Sequence, residues 1–392
     1  MNRIDNPFAP GAGTRPPELA GRDGIIEDAT VAIARTKAGR SSKSQMLLGL
    51  RGVGKTVLLS EINRIAERAG YRTIELEAQE NRRLAEMLVI PLRSLLNRLS
   101  TLDNAKSLAI RALRDLQRFA SKFTVKLGEL ELGVARPGAI ESGNLETDLP
   151  ELLLIVAEAS RTAETPVAIL IDEVQYLSSE DLGALIVSIH KIGQRGLPFI
   201  VFGAGLPSIA ALAGEAKSYS ERLFDYPKVD ALERADAERA IREPLIAEGV
   251  EIAPAALEAI VEHTQGYPYF LQEWGSSTWD MAKTSPITRR DVTRATITTL
   301  RRLDEGFFRV RLDRLTPRER DYMRAMAELG PGPHRSGDIA AALGVKVTSV
   351  GFVRKELMRK GMVYSPQHGE TAFTVPMFDA FMKRSMPQWP PQ

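Results

Sequence analysis

Apolar positions along this chain fall into short unbroken runs and longer runs of helical spacing, and the two kinds alternate through its first half. Residues 44–50 (SQMLLGL) are mostly apolar and end in a Gly-rich stretch, which predicts a buried strand running into a turn. Residues 55–69 carry Val57, Leu58, Ile62 and Ile65 at helical spacing, and residues 71–78 alternate as a strand does. Strand, loop, helix, strand is the order of a βαβ unit and predicts a parallel sheet. Residues 146–163 and 179–194 read as further helices, and 167–171 and 198–203 as further buried strands.

Between these segments, residues 82–121 read as two helices, and residues 123–134 (FTVKLGELELGV) alternate with period two around a glycine. Such a hairpin breaks the α/β order, so 82–145 is expected to be an insertion. After Asp230 the pattern turns helical at 234–248, 254–264 and 269–282, followed by a long Arg-rich helix over 288–315. Pro244 is a candidate kink. The expected division is a leader over 1–43 with a helix at 24–37, an α/β core over 44–231, a helical lid over 232–300, and a separate domain over 301–392. No internal repeat interrupts this order.

The chain has 392 residues, 44% hydrophobic and 26% charged, the balance of a folded globular protein. It has no cysteine, which excludes disulfides, thiolate metal sites and a Cys nucleophile. His190, His263, His334 and His368 lack ligand spacing. Residues 1–24 hold no apolar signal-peptide core, and no apolar run approaches bilayer length, so a cytoplasmic protein without a membrane partner is expected. Net charge is +2 but unevenly placed: from Thr284 onward 19 Lys+Arg face 11 Asp+Glu, a balance of +8 that leaves −6 for the rest. That asymmetry suits a basic domain meeting a polyanion, or simply solvated Arg-rich helix faces.

Residues 49–56, Gly49-Leu50-Arg51-Gly52-Val53-Gly54-Lys55-Thr56, spell G-x(4)-G-K-T between a buried strand and a helix. Glycines let backbone N–H groups curl round phosphates, and the helix that follows, through Val57, adds its positive end to the same anion. Lys55 is expected at the β- and γ-phosphates of ATP and the Thr56 hydroxyl on Mg²⁺. The apolar strand at 167–171 ends in Asp172-Glu173, which predicts two carboxylates at the sheet's carboxyl edge beside the loop. Asp172 is suited to hold Mg²⁺, and Glu173 to orient or deprotonate the attacking water.

A P-loop, an apolar strand ending in Asp-Glu, a further strand and a helical lid together resemble an AAA+ ATPase. The likeness is to origin-recognition-type initiators and related prokaryotic ATPases bordering on the STAND signalling class, over about residues 17–300. In that resemblance Pro17-Glu18-Leu19-Ala20-Gly21-Arg22-Asp23 matches an LxGR segment, which implies an adenine contact at Gly21 and Arg22. A polar loop is the plainer reading. Ser220-Glu221-Arg222-Leu223-Phe224 resembles the arginine-finger segment, implying that Arg222 reaches a neighbouring subunit's γ-phosphate; a surface arginine is the alternative. Gly266-Tyr267-Pro268-Tyr269 stands where the family's second sensor begins, and Gly266 and Pro268 equally suit a helix stop and restart. One feature departs from the family. The strand at 199–202 should end in a polar sensor residue, but Gly203-Ala204-Gly205 follows and the nearest hydroxyl is Ser208, which implies slow, switch-like turnover.

Residues 335–360 form a helix–turn–helix pattern, with Ile339, Ala340 and Leu343 on one helix, Gly344 at the turn, and Val350, Val353 and Leu357 on the next. Two short alternating segments flank Gly369. This looks like the winged helix that origin-recognition-type initiators carry after the lid. Lys346, Thr348, Ser349, Arg354, Lys355, Arg359 and Lys360 are the polar positions around its second helix, suited to double-stranded DNA. Without Asn or Gln there, phosphate contact is expected to outweigh base reading.

The fold expected is therefore α/β, a P-loop NTPase parallel sheet with a helical lid, followed by an α-rich winged-helix domain. The function expected is an ATP-hydrolysing, DNA-binding AAA+ switch, as a homo-oligomer or with a partner protein. The alternative is a STAND-like signalling ATPase whose winged helix contacts protein rather than DNA.

Overall fold

The computed structural model describes residues 1–11, 13–123 and 144–389. The chain divides into two compact units, one of Arg22–Gly49 with Lys55–Val229, the other of Met1–Gly21, Leu50–Gly54 and Asp230–Gln392.

The first unit opens with α1 (Asp23–Lys37), β1 (Ser44–Leu48), α2 (Lys55–Arg68) and β2 (Arg72–Glu77). It continues with α3 (Leu84–Leu99), α4 (Lys106–Lys122), α5 (Leu145–Thr162), β3 (Val167–Asp172), α6 (Ser179–Gln194), β4 (Phe199–Gly205), α7 (Ile209–Ala216), α8 (Ser220–Leu223) and β5 (Phe224–Asp225). The five strands are parallel in the order β2-β3-β4-β1-β5. Full burial follows the apolar runs: every residue of β1 and β4 is buried, whereas β2, at the edge, buries only Ile74. Val167, Ile169 and Ile171 of β3 join the core formed with α3 to α6, while α1 and α2 pack together and α2 meets β3 and β4.

Helix ends obey local chemistry. Ser178 caps α6 in a reciprocal box with Asp181, and Asp181 also accepts from Leu84 N at 3.2 Å, tying α3 to α6. Asn144 caps α5. The expected hairpin at 123–134 lies outside the described residues beyond Phe123.

The second unit is mostly helical: α9 (Arg234–Ala247), α10 (Pro254–Thr264), α11 (Pro268–Met281) and α12 (Arg289–Arg302) form a bundle around the fully buried Trp274. Prolines open α10 and α11, where a missing N–H costs nothing. The stretch expected as one long helix is α12, a π-helical turn over Leu303–Phe308, and α13 (Arg309–Leu312). Phe307 and Phe308 point from that turn into an aromatic cluster with Phe270, Phe378 and Phe381. The leader's first residues pack on α11: the Asn6 amide donates to Ser276 O at 3.1 Å, Trp279 Nε1 donates to Asn2 O at 2.8 Å, and Phe8 covers Gly275.

The remaining order is α14 (Pro317–Leu329), β6 (His334–Arg335), α15 (Ser336–Ala342), α16 (Val347–Arg359), β7 (Val363–Tyr364), β8 (Glu370–Phe373) and α17 (Phe378–Ser385). Its three strands form an antiparallel sheet, β6-β8-β7. Ile339, Ala340, Val350 and Leu357 are buried as their spacing predicts. Among the described residues no single helix is long and apolar enough to cross a membrane.

Candidate nucleotide site

At the first turn of α2 the Thr56 hydroxyl donates to Asp172 Oδ2 at 2.6 Å, the short distance of an O–H bound to a carboxylate. β1, which leads into the loop before Thr56, and β3, which ends in Asp172, are not neighbours, because β4 lies between them. β4 is bare of side chains at Gly203 and Gly205, toward its carboxyl end. A Cβ on Gly203 would collide with Met46 Sδ and stand 3.0 Å from Val174 Cγ2, and one on Gly205 would collide with Gln175 and Ile209. The absence of side chains at the end of β4 thus has a physical reason: the space at 203 is taken by Met46 of β1 and Val174, and that at 205 by Gln175 and Ile209.

That chain turns sharply. Glu173 adopts the left-handed conformation (φ 53°, ψ 38°), its N–H donating to Asp172 Oδ1 at 2.8 Å, and a single 3₁₀ turn over Val174–Tyr176 follows. Gln175 Nε2 donates to Glu173 Oε2, and Gln175 Oε1 accepts from Leu206 N at 3.0 Å. Gly49 N donates to Gly205 O at 3.0 Å, so the first P-loop residue is tied to the end of β4. Lys55 is buried at the start of α2, Thr56 is exposed and Val57 half-buried.

Whether these residues suit Mg²⁺ is tested by the donor set. Mg²⁺ is usually held by one or two protein oxygens with phosphate and water completing the octahedron. Thr56 Oγ1 and Asp172 supply such a pair, and among the described residues no group of three or more His, Cys, Asp or Glu side chains gathers into a cage. The α2 N-terminus, beginning 14 helical residues, presents its N–H groups to an anion.

The loop's middle, Leu50–Gly54, is described within the second unit. Gly52 (φ 85°) and Gly54 (φ 93°) take conformations that side-chain-bearing residues rarely adopt, which lets the backbone curl. Val53 is buried. The hydroxyl of Tyr267 donates to Arg51 O, Tyr269 N donates to Gly52 O at 3.2 Å, and Arg51 N donates to Thr374 O at 3.3 Å. The Gly266–Tyr269 segment therefore meets the loop through its two tyrosines. Gly266 (φ 70°) closes α10 beside Leu232, whose N–H donates to Gly266 O at 2.8 Å, and Pro268 opens α11. These are the stop and restart of two helices. Burial pushes the phenol of Tyr267 far above its ordinary range, so it stays a neutral donor.

Arg311 was not foreseen. It stacks 3.9 Å from the Phe307 ring centroid, and burial, with the cation of Arg51, pulls its guanidinium down to about 10. Gly21 (φ 68°) lies against Asp236 of α9, where an added Cβ would stand 2.6 Å from Oδ2, while Glu18 pairs with Arg239 at 3.3 Å. Arg22 is half-buried at the start of α1. Arg222 is exposed on the one-turn α8.

In the C-terminal region Lys346 and Lys355 are exposed, as are Thr348 and Ser349. Arg354, expected to contact DNA, is committed within the domain: it donates to Thr371 Oγ1, Ser365 Oγ and Glu370 O, each at 2.8 Å, bracing β8 and the β7–β8 loop. Arg359 pairs with Glu356 at 2.8 Å, and Lys360 with the buried Glu319 at 2.7 Å.

No curated protein matches the sequence. Residues 18–202 match the AAA ATPase domain family, and residues 305–382 match a domain of unknown function (DUF8462). Among solved structures the fold is similar to the Walker-type ATPase PABY2304 of Pyrococcus abyssi, at 17% identity and TM-score 0.60, covering 94% of this chain and 97% of that one. It is also similar to the Aeropyrum pernix ORC2 protein in its ADPNP–ADP complexes, at 16% identity and TM-score 0.52, covering 97% and 98%. Residues 18–202, from within the leader into β4, are thus similar to the AAA ATPase domain family.

Proposed function

We propose that this protein hydrolyses Mg²⁺-ATP and uses nucleotide state to control how a C-terminal winged helix meets double-stranded DNA. The observation that carries the hydrolytic half is the 2.6 Å contact of Thr56 with Asp172, with Glu173 next in sequence on a fixed turn. Lys55, Thr56 and the α2 N-terminus hold the phosphates, and Mg²⁺ at Thr56 and Asp172 would neutralise charge on the transferred phosphoryl group. Glu173 takes the proton of the water whose oxygen bonds to the γ-phosphorus as the bond to the bridging oxygen breaks.

Nucleotide dependence is supported by the loop's own bonds, since Arg51 donates to Thr374 and accepts from Tyr267. DNA contact is assigned to Lys346, Lys355 and Arg359, with Arg354 shaping the wing. The element order from α14 to β8 supports reading this region as a winged helix. Gly21 and Arg22 are proposed at the adenine, with Gly266 and Pro268 setting the lid's edge. Exposed Arg222 is proposed to act across a subunit boundary of a homo-oligomer. Such a protein works in the cytoplasm.

Phe352, 75% exposed on α16, with Val345 and Val347 also exposed, favours the second reading, a STAND-like switch whose winged helix binds protein. Duplex-DNA titration over a salt series, with and without ATP, decides. The DNA reading expects a log–log slope that weakens by about 2 when Lys346 and Lys355 are both replaced by Ala. No binding, or a slope unmoved by both substitutions, refutes it.

A further inference from the structure

We infer that Gln175 is the positioning residue for Glu173, supplying from the loop after β3 the polar group that the end of β4 lacks. The inference rests on the reading of Glu173 as the hydrolytic base. Its support is geometric and lies in one compact unit. The Gln175 amide donates to Glu173 Oε2, while its carbonyl accepts from Leu206 N at 3.0 Å, so both ends of the amide are engaged. The side chain therefore spans from the carboxylate to the first residue after β4.

The space for it is made by glycine. A Cβ at Gly205 would overlap Gln175 Oε1 and stand 3.2 Å from Val174 N, so strand and loop fit together only with that position bare. Gly205 O in turn accepts from Gly49 N at 3.0 Å, and Leu206 is the next residue. One unbroken hydrogen-bonded path thus runs from the first P-loop residue, through the end of β4 and Gln175, to Glu173.

The chemistry fits a positioning role. A carboxylate has two oxygens, and an N–H donor on Oε2 fixes the group's rotation while leaving Oε1 to accept from water. Glu173 needs such a restraint because a base must hold the attacking water in a near-attack geometry. Gln175 touches the base and not the reacting atoms.

The test measures steady-state ATP turnover, nucleotide affinity and the pH–rate profile for the full chain and three variants. Gln175→Met keeps length and removes both hydrogen bonds; it is expected to lower kcat about 10- to 100-fold with nucleotide Kd unchanged. Gln175→Glu sets two carboxylates together, so the acid limb of the profile should move to higher pH. A merely structural role for Gln175 would lower thermal stability without moving that limb. Wild-type or faster turnover in Gln175→Met, or a superimposable profile in Gln175→Glu, overturns the inference. Glu173→Gln separates the two claims: if it hydrolyses ATP normally the underlying reading is wrong, whereas if it is inactive and Gln175→Met is normal only the role of Gln175 falls.

Discussion

Asp172→Asn keeps the shape of the strand end and removes one negative charge. The Thr56 hydroxyl loses a carboxylate acceptor at 2.6 Å and keeps at best a neutral one. What Mg²⁺ loses is a charged oxygen partner, direct or through bound water, a contact comparable to a hydrogen bond to a charged group at about 1.5–3 kcal/mol, and because Asp172 is half-buried the lower part of that range applies. At roughly 1.5–2 kcal/mol, Mg²⁺-ATP should bind about 10- to 30-fold more weakly. ATP in excess EDTA should bind no more weakly than to wild type, since a carboxylate facing phosphates without metal only repels them. Titration of a fluorescent ATP analogue, in parallel with Mg²⁺ and with EDTA, reads both numbers. An equal loss in the two titrations would mean that Asp172 supports the fold of the loop rather than the metal; no loss in either would remove it from the site.

Gly266→Ala should destabilise the α9–α12 bundle by about 2–4 kcal/mol, because φ 70° disfavours a side chain and the new Cβ would strike the Leu232 carbonyl; urea unfolding followed by tryptophan fluorescence checks it. Lys360→Met should cost about 1–3 kcal/mol at pH 7, since it strips the ammonium from buried Glu319. Burial alone would raise the Glu319 carboxyl, but the Lys360 ammonium and the Thr316 N–H outweigh it and hold the carboxyl below its ordinary range. A depressed carboxyl contributes stability that is complete above the unfolded-state value near ~4.3 and is lost as pH falls through the folded one. The gap between wild type and Lys360→Met should therefore narrow below about pH 4, as thermal unfolding at stepped pH would show; a constant gap would contradict it.

Legibility followed element length and chemical necessity. The strand at β1, the helix at α2 and the carboxylates at the end of β3 were readable, since a G-x(4)-G-K-T loop and an apolar strand ending in two acids admit few other folds. Phe224–Asp225 and His334–Arg335 are strands of two residues, too short to show a period, and they entered their sheets through tertiary pairing. The leader read as irregular because its packing rests on the single ring of Phe8 and a few polar groups, not on periodic burial. Gln175 escaped notice because its partner at Gly205 is defined by an absence. The signal that would have found it is a glycine pair at a strand end facing an amide two residues past the acid. Arg354 misled for the opposite reason: a basic residue on an exposed-looking helix face was already engaged in bracing the β7–β8 loop.

Hydrolysis turns on Glu173. Steady-state ATP hydrolysis by wild type and Glu173→Gln, with nucleotide affinity measured on the same samples, tests it most directly. Unchanged affinity with turnover reduced at least about 100-fold is the predicted result. Equal turnover in the two proteins, or no Mg²⁺-dependent turnover in wild type that binds ATP, would contradict it.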